Sequence, residues 1–372
     1  MSQEKIKIVT ILPALIKAGP VIVAYNILKN LPRELFDLVV ISLRDHPMKY
    51  RNNKDWFDEI GVDVVEFNYS LVDSMLHHEK IAKKIESLFP DDNVIFHGHG
   101  HIPALLLSDM KKKNTILTIH NRCNEDYKNA YGFFKGYFLS WQFKRCLKNI
   151  KKCVPICKSM ADYYSDCSSN MKIIYNGISI DYRILDQEEK ILLRQKLGLP
   201  TNKKIFLYPA AFSTRKNQRF IVESIVNSSL SDIIIMFAGM GDLEEECKKA
   251  AGSDSRIIFL GYQMNMSQYW QASDFFVSSS LSEGLPMAVL EATLNGLPCI
   301  LSAIPPHLEI LERLGKKYYL DFNLNDKGSF LKRIEQATLM NVDCCEIANK
   351  AKEVFTSEVM TNSYVDLYKS FK

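Results

Sequence analysis

The chain has 372 residues, long for a single core, so two domains are expected. Its apolar fraction of 47% and charged fraction of 24% are those of an ordinary globular protein, not of a disordered or fibrous chain. A net charge of +4 is too small to argue for nucleic acid as a partner.

Nine cysteines form an odd set with no regular framework, which fits free thiols in a reducing compartment. No pair has zinc-ribbon spacing, and Cys153 and Cys157 read as small buried hydrophobes around a strand. The opening residues are polar, and the apolar run after them reads as a first strand rather than a cleaved leader. No apolar stretch approaches the ~18 residues that a membrane span needs. A cytoplasmic protein is expected, with peripheral contact at the inner face of the cell membrane left open.

Residues 5 to 12, KIKIVTIL, predict a buried strand, and Val21 to Leu31 predict a helix. Gly19 and Pro20 open that helix. Proline is tolerated in a first turn, and glycine lets a ligand approach the backbone closely. Further strands are expected at Leu38 to Leu43, Val62 to Phe67, Val94 to Phe96, Thr115 to Ile119 and Cys153 to Ile156. Helical segments between most of them argue for a parallel sheet with crossover helices.

His97, His99 and His101 alternate with Gly98 and Gly100. That spacing suits one strand face or a metal-binding tract. No carboxylate or cysteine lies close enough to complete a local metal site, so a loop is the expected reading. His120 ends the strand Thr115 to Ile119. Residues 128 to 152 interleave lysines and arginine with Tyr131, Phe133, Phe134, Tyr137, Phe138, Trp141 and Phe143. Basic residues among aromatics suit an anionic membrane surface. A core-facing helix with a solvated basic face fits equally well, and no nucleic-acid motif accompanies the stretch.

The pattern restarts after Ile173 to Ile178, which predict a strand ending in an Asn176-Gly177 turn. Strands are then expected at Ile205 to Tyr208, Ile233 to Ala238, Ile257 to Leu260, Phe275 to Val277 and Cys299 to Leu301. A domain boundary falls near residues 176 to 186. Two open α/β domains of this kind place ligands at the carboxyl ends of their strands.

The first strand of the second half is followed by AAFSTRKNQ, residues 210 to 218. Arg215 and Lys216 there form a candidate diphosphate clamp, a planar fork beside a point charge. A solvated basic turn is the plainer alternative. Gly239-Met240-Gly241 follows the next strand, where a lone Gly-x-Gly is more often a tight turn than a nucleotide contact. The last unit reads as strand, turn, helix Pro286 to Leu294 and strand. It carries Glu283 and Glu291, with seven residues between them. A helix start beside Gly284 suits a phosphate, and a carboxylate near it can accept from sugar hydroxyls. Spacing alone leaves open a plain αβ unit with one solvated and one capping glutamate.

Glu283-Gly284-Leu285-Pro286 through Glu291-Ala292, then Asn295-Gly296-Leu297-Pro298, resembles the E-x7-E signature of glycosyltransferase family 4. The resemblance covers nearly the whole chain, is strong from 173 to 305 and is looser before 120. It implies a GT-B fold: two Rossmann-like α/β domains facing across a cleft, with a final helix, about 358 to 371, crossing back to the first. The domains would be 1–178, completed by 358–372, and 179–357. It implies a retaining enzyme that moves a sugar from a UDP- or GDP-sugar to a glycan or lipid-linked acceptor in cell-surface polysaccharide synthesis, with no cofactor and no metal.

By the same resemblance Glu291 would hold the ribose and Glu283 the sugar hydroxyls. Gly19, Gly284, Leu285, Pro286 and Met287 would offer backbone to phosphate or sugar. Gly239 and Tyr262 would lie by the nucleotide, and Asn176 in the family's linker, where Ser179 replaces the usual Asp. His120 resembles the histidine that faces the reacting carbon, and Lys216 the family's lysine. Ala211 stands where the family has arginine, a departure that Arg215 would compensate. A nucleotide-sugar epimerase, a sugar phosphorylase and a non-catalytic sugar-nucleotide or membrane-surface module remain alternatives.

Overall fold

The computed structural model describes residues 4–44, 52–180 and 183–371. The chain divides into two compact units, Met1–Ser179 with Thr356–Lys372, and Ile180–Phe355.

The sheet of the first unit contains β1 (Ile6–Leu12), β2 (Phe36–Arg44), β3 (Asp63–Tyr69), β4 (Val94–His99), β5 (Asn114–Ile119) and β6 (Lys152–Pro155). All pairings are parallel, in the order β3-β2-β1-β4-β5-β6. Every residue of β4 is buried, and β1 and β2 are nearly so, because helices cover both faces. The helix His78–Leu88 shows how that cover is made: Ile81, Ala82 and Ile85 face inward and charged residues face out.

The second unit repeats the winding with β7 (Lys204–Pro209), β8 (Ile233–Ala238), β9 (Ile257–Phe259), β10 (Phe275–Ser278), β11 (Cys299–Ser302) and β12 (Tyr319–Phe322). Its order, β12-β11-β10-β7-β8-β9, again puts the unit's first strand in the middle. Aromatic stacking ties its strands together: Phe206 on Phe275 across β7 and β10, and Phe237 on Phe259 across β8 and β9. In such doubly wound sheets the chain reverses direction beside the first strand, and the loops leaving the two strands there splay apart. The segments after β7 and β10 occupy that place here.

The last helix, Ser357–Lys369, belongs to the first unit, where Tyr364 and Tyr368 are buried. Thr356 caps it through its side chain.

Two expectations are corrected. Residues 173 to 178 form no strand; Met171 and Ile178 make isolated bridges to Cys153 and Thr356. Pairing there is fragmentary: Ile174 donates its N–H to the Pro155 carbonyl at 3.2 Å, Ile174 and Ile178 are buried, and a Cβ on Gly177 would lie 2.0 Å from the Thr356 carbonyl oxygen. The histidine tract is not a loop. His97 and His99 lie on β4, and His101 begins the helix His101–Asp109. The edge strand β12 was not anticipated, since KKYYLDF alternates too little to stand out.

Candidate active site

Tyr208, one residue before the end of β7, organises the loop that follows. Its hydroxyl donates to the Lys216 carbonyl at 2.6 Å and lies 3.0 Å from the Ser280 hydroxyl. The loop turns at Asn217, whose φ of 53° is left-handed, and enters the helix Gln218–Val226. The segment after β10 is stitched to the same loop. Leu281 donates its N–H to the Arg215 carbonyl at 2.8 Å, and Ser279 donates its hydroxyl to the Asn217 carbonyl at 2.8 Å.

This stitching brings three of the expected site residues together. Lys216 pairs with one oxygen of Glu283 and Arg215 with the other. The Ser280 hydroxyl donates to the Lys216-bound oxygen at 2.7 Å, and Arg215 also donates to the Ser282 carbonyl at 3.1 Å. The Glu283 side chain is only 6% exposed, Lys216 is 18% exposed and Arg215 40%. Burial opposes ionisation of Glu283, but the two cations outweigh it and hold the carboxyl below its ordinary value. Burial lowers the Lys216 pKa, and Glu283 works against that shift. Two cations against one carboxylate leave one net positive charge, fixed in place and partly shielded from water. Such a cluster can receive a polyanion without reorganising.

Around the cluster Leu285 and Pro286 are buried, while Gly284, Met287 and Glu291 are half-buried. Pro286 is the N-cap of the helix Met287–Leu294 and offers no side-chain cap. Glu291 sits one turn into that helix. Ala211 is exposed on the loop. Gly239 has φ +146°, and a Cβ there would lie 2.2 Å from the Ala210 carbonyl oxygen. Its N–H donates to the Gly261 carbonyl at 2.8 Å, so this glycine packs the loops after β7, β8 and β9 together. Tyr262 follows Gly261 and is 62% exposed.

In the first unit His120 directly follows β5, half-buried. Its ring stacks on His99 with centroids 5.2 Å apart, and its Nε2 lies 2.9 Å from the His99 Nδ1. Behind them His97 bonds the Tyr368 hydroxyl at 2.7 Å and the Thr118 hydroxyl at 2.8 Å, and Thr118 bonds the Tyr364 hydroxyl at 2.7 Å. Burial pushes the His120 pKa down to about 3 and that of His97 to about 3, so both imidazoles are neutral. Gly19, exposed, opens the helix Gly19–Asn30, and a Cβ there would meet open space. Asn176 is buried beside Gly177, whose N–H donates to the Met360 sulfur in the last helix at 3.2 Å.

Sequence reasoning missed Tyr208, the serines of the second segment and His307. His307 is fully buried in the helix Pro305–Leu314, with its Nδ1 2.9 Å from the Ser302 carbonyl. Its Nε2 has no partner among the described residues. Burial lowers its pKa to about 4, against the opposing pull of Glu283. The serine run 278 to 280 was visible as a polar end to an apolar strand; nothing in the sequence marked His307.

Two family models match the chain. Glycosyltransferase Family 4 matches residues 18–182, and Glycosyl transferases group 1 matches residues 189–354. A UDP-Gal:alpha-D-GlcNAc-diphosphoundecaprenol alpha-1,3-galactosyltransferase of Escherichia coli is 26% identical, over 99% of this chain and 97% of its own. An O-antigen biosynthesis glycosyltransferase, WclY, also of Escherichia coli, is 25% identical over 95% of both chains. Among solved structures, Anabaena HepE in complex with UDP and glucose has a TM-score of 0.76 at 14% identity, covering 98% of this chain and all of that one. A glycosyltransferase from Rickettsia africae has a TM-score of 0.76 at 17% identity, covering 99% of both. Each half of the chain is thus similar to a glycosyltransferase family, and with the two repeated windings these likenesses show a GT-B fold.

Proposed function

We propose that the protein is a retaining glycosyltransferase that moves a sugar from a nucleoside-diphosphate sugar, UDP- or GDP-linked, to a glycan or lipid-linked acceptor in cell-surface polysaccharide synthesis. The observation that carries the donor reading is the Arg215–Lys216–Glu283 cluster. A nucleoside diphosphate is the polyanion such a cluster suits. Arg215 and Lys216 stabilise charge that grows on the diphosphate as the bond to the sugar breaks, and this needs neither metal nor cofactor. Arg215 then does the work of the arginine absent at Ala211.

Glu291 takes the ribose hydroxyls and Glu283 the sugar hydroxyls. A sugar contact at Glu283 uses oxygens that already accept from the two cations, so its hydrogen-bonding geometry is fixed before the donor arrives. Backbone at Gly19, Gly284, Leu285, Pro286 and Met287 contacts phosphate or sugar, and His120 meets the reacting sugar as a neutral imidazole. The C1–O bond to the diphosphate breaks, the acceptor hydroxyl oxygen attacks C1 from the same face, and its proton passes to the leaving phosphate oxygen.

The acceptor reading draws on the galactosyltransferase relative, whose name gives its substrate as a diphosphoundecaprenol-linked sugar. No helix among the described residues is long and apolar enough to cross a membrane. We assign contact with an anionic membrane surface to residues 128 to 152, where Phe133, Phe134, Tyr137, Phe138 and Trp141 are all at least half exposed. A thermal-shift screen against UDP- and GDP-sugars tests the donor reading. A true donor at a hundredfold excess over Kd stabilises by ~2.7 kcal/mol, and a panel that shifts nothing refutes it.

A further inference from the structure

The first unit contains a slot of about 700 Å³ that the donor site does not use. It is walled by Leu71, Met75, Ile102, Phe134, Phe138 and Leu139, from the helices Leu71–Leu76, His101–Asp109 and Phe133–Leu147. Two cations complete the wall, Arg44 and Lys135, and no carboxylate lines it. Neither cation has an acidic partner among the described residues. Lys135 is exposed and so marks the mouth.

The surface around the mouth is apolar as well. Phe134 is 86% exposed, Leu76 71% and Val72 61%. Exposed apolar side chains gathered from two helices, rather than scattered singly, mark a binding surface. The helix Phe133–Leu147 carries Lys135, Lys144 and Arg145 and no acid.

We infer that this slot holds the hydrocarbon chain of a polyprenyl-diphosphate acceptor, with Arg44 and Lys135 pairing with its diphosphate. The inference rests on the lipid-linked acceptor proposed above and names the surface that takes it. The volume is that of a small-molecule pocket. A peptide laid against this wall would leave backbone N–H and C=O groups without partners, a cost that a hydrocarbon chain does not incur. Two cations beside an apolar slot match a lipid whose charge sits at one end of its chain. The aromatic and basic surface around the mouth would keep the protein at the membrane where such a lipid resides.

The test is calorimetric titration of the full chain with farnesyl diphosphate and with isopentenyl diphosphate, which share the head and differ in chain length. Both are run with UDP and GDP in excess, so that a diphosphate bound in the donor site is displaced. Farnesyl diphosphate is expected to bind at least tenfold more tightly. The paired substitutions Phe134→Ser and Phe138→Ser, at largely solvent-facing side chains, should abolish that preference while the thermal unfolding transition is retained. Arg44→Ala and Lys135→Ala should weaken both ligands alike and keep the preference. Equal affinity for the two ligands, or displacement of farnesyl diphosphate by the nucleotides, overturns the proposal. The donor reading is checked separately by titrating UDP and GDP alone. Nucleotide binding without a chain-length preference sinks only the slot. A chain-length preference without nucleotide binding leaves a lipid site and sinks the donor reading.

Discussion

Ala211 stands where the family's arginine is expected, and Arg215 reaches Glu283 from four residues further along the same loop. Removing one preorganised stabilising donor typically costs on the order of 10²–10³ in rate. Arg215→Ala and Lys216→Ala are each expected to cut kcat strongly and raise KM less, because the interaction strengthens as the leaving group departs. The double variant should lose less than the product of the two, since both cations bind one carboxylate and face one diphosphate. Steady-state kinetics of the three variants measure this. A silent Arg215→Ala beside a crippled Lys216→Ala would make Arg215 a bystander. Glu291→Ala should weaken nucleoside-diphosphate binding without changing the fold, and unchanged affinity by calorimetry would remove Glu291 from the ribose. At this scale the sequence shows which residues carry charge near strand ends, and Glu283, Arg215 and Lys216 were legible in that way. It does not show that Glu283 is saturated by both cations, because that depends on Tyr208 and Ser279 holding two distant segments together. His307 was illegible for the same reason: its burial follows from tertiary packing, not from its neighbours in sequence.

Most strands could be read from apolar runs because parallel strands covered on both faces are apolar throughout. Ile173 to Ile178 has that composition yet forms no strand: Ile174 still bonds the Pro155 carbonyl at the end of β6, but by Ile178 the backbone has turned to the start of the last helix. The glycines after β8 were visible, but their purpose was not. Gly239→Ala would push a Cβ against the Ala210 carbonyl oxygen in a left-handed backbone conformation. A loss of about 1–3 kcal/mol, the usual range for overpacking, is expected in denaturant melts. The last helix is secured through His97, and this gives a pH dependence. The folded His97 pKa is about 3, below the ordinary 6.5. Between those values the unfolded chain binds a proton that the folded chain does not. The contribution is complete above pH 6.5 and is lost as pH falls toward 3, at about 1.4 kcal/mol per pH unit. His120 and His307, also buried neutral, add slopes of the same sign in this window, so His97→Gln should make the stability profile between pH 6.5 and 5 less steep without abolishing it. A profile as steep as the wild type's would show that other groups control it.

At the scale of the whole molecule, two like-wound units supply different surfaces: a cationic cluster at the switch point of the second sheet and an apolar, basic face on the first. If the basic aromatic face docks on anionic lipid, co-sedimentation with anionic liposomes should be strong at low salt and fall as salt rises, because screening shortens the reach of surface charge. No binding at low salt would leave the helix Phe133–Leu147 with only its packing role. The central claim is that the cluster of Arg215, Lys216 and Glu283 holds the diphosphate of a sugar donor. Calorimetric titration of UDP and of GDP into the wild-type chain and into Lys216→Ala tests it most directly. One of the two nucleotides should bind the wild type, and the variant should bind it at least tenfold more weakly, about 1.4 kcal/mol. Equal affinity of a folded Lys216→Ala variant for that nucleotide, or no binding of either nucleotide to the wild type, would contradict the account.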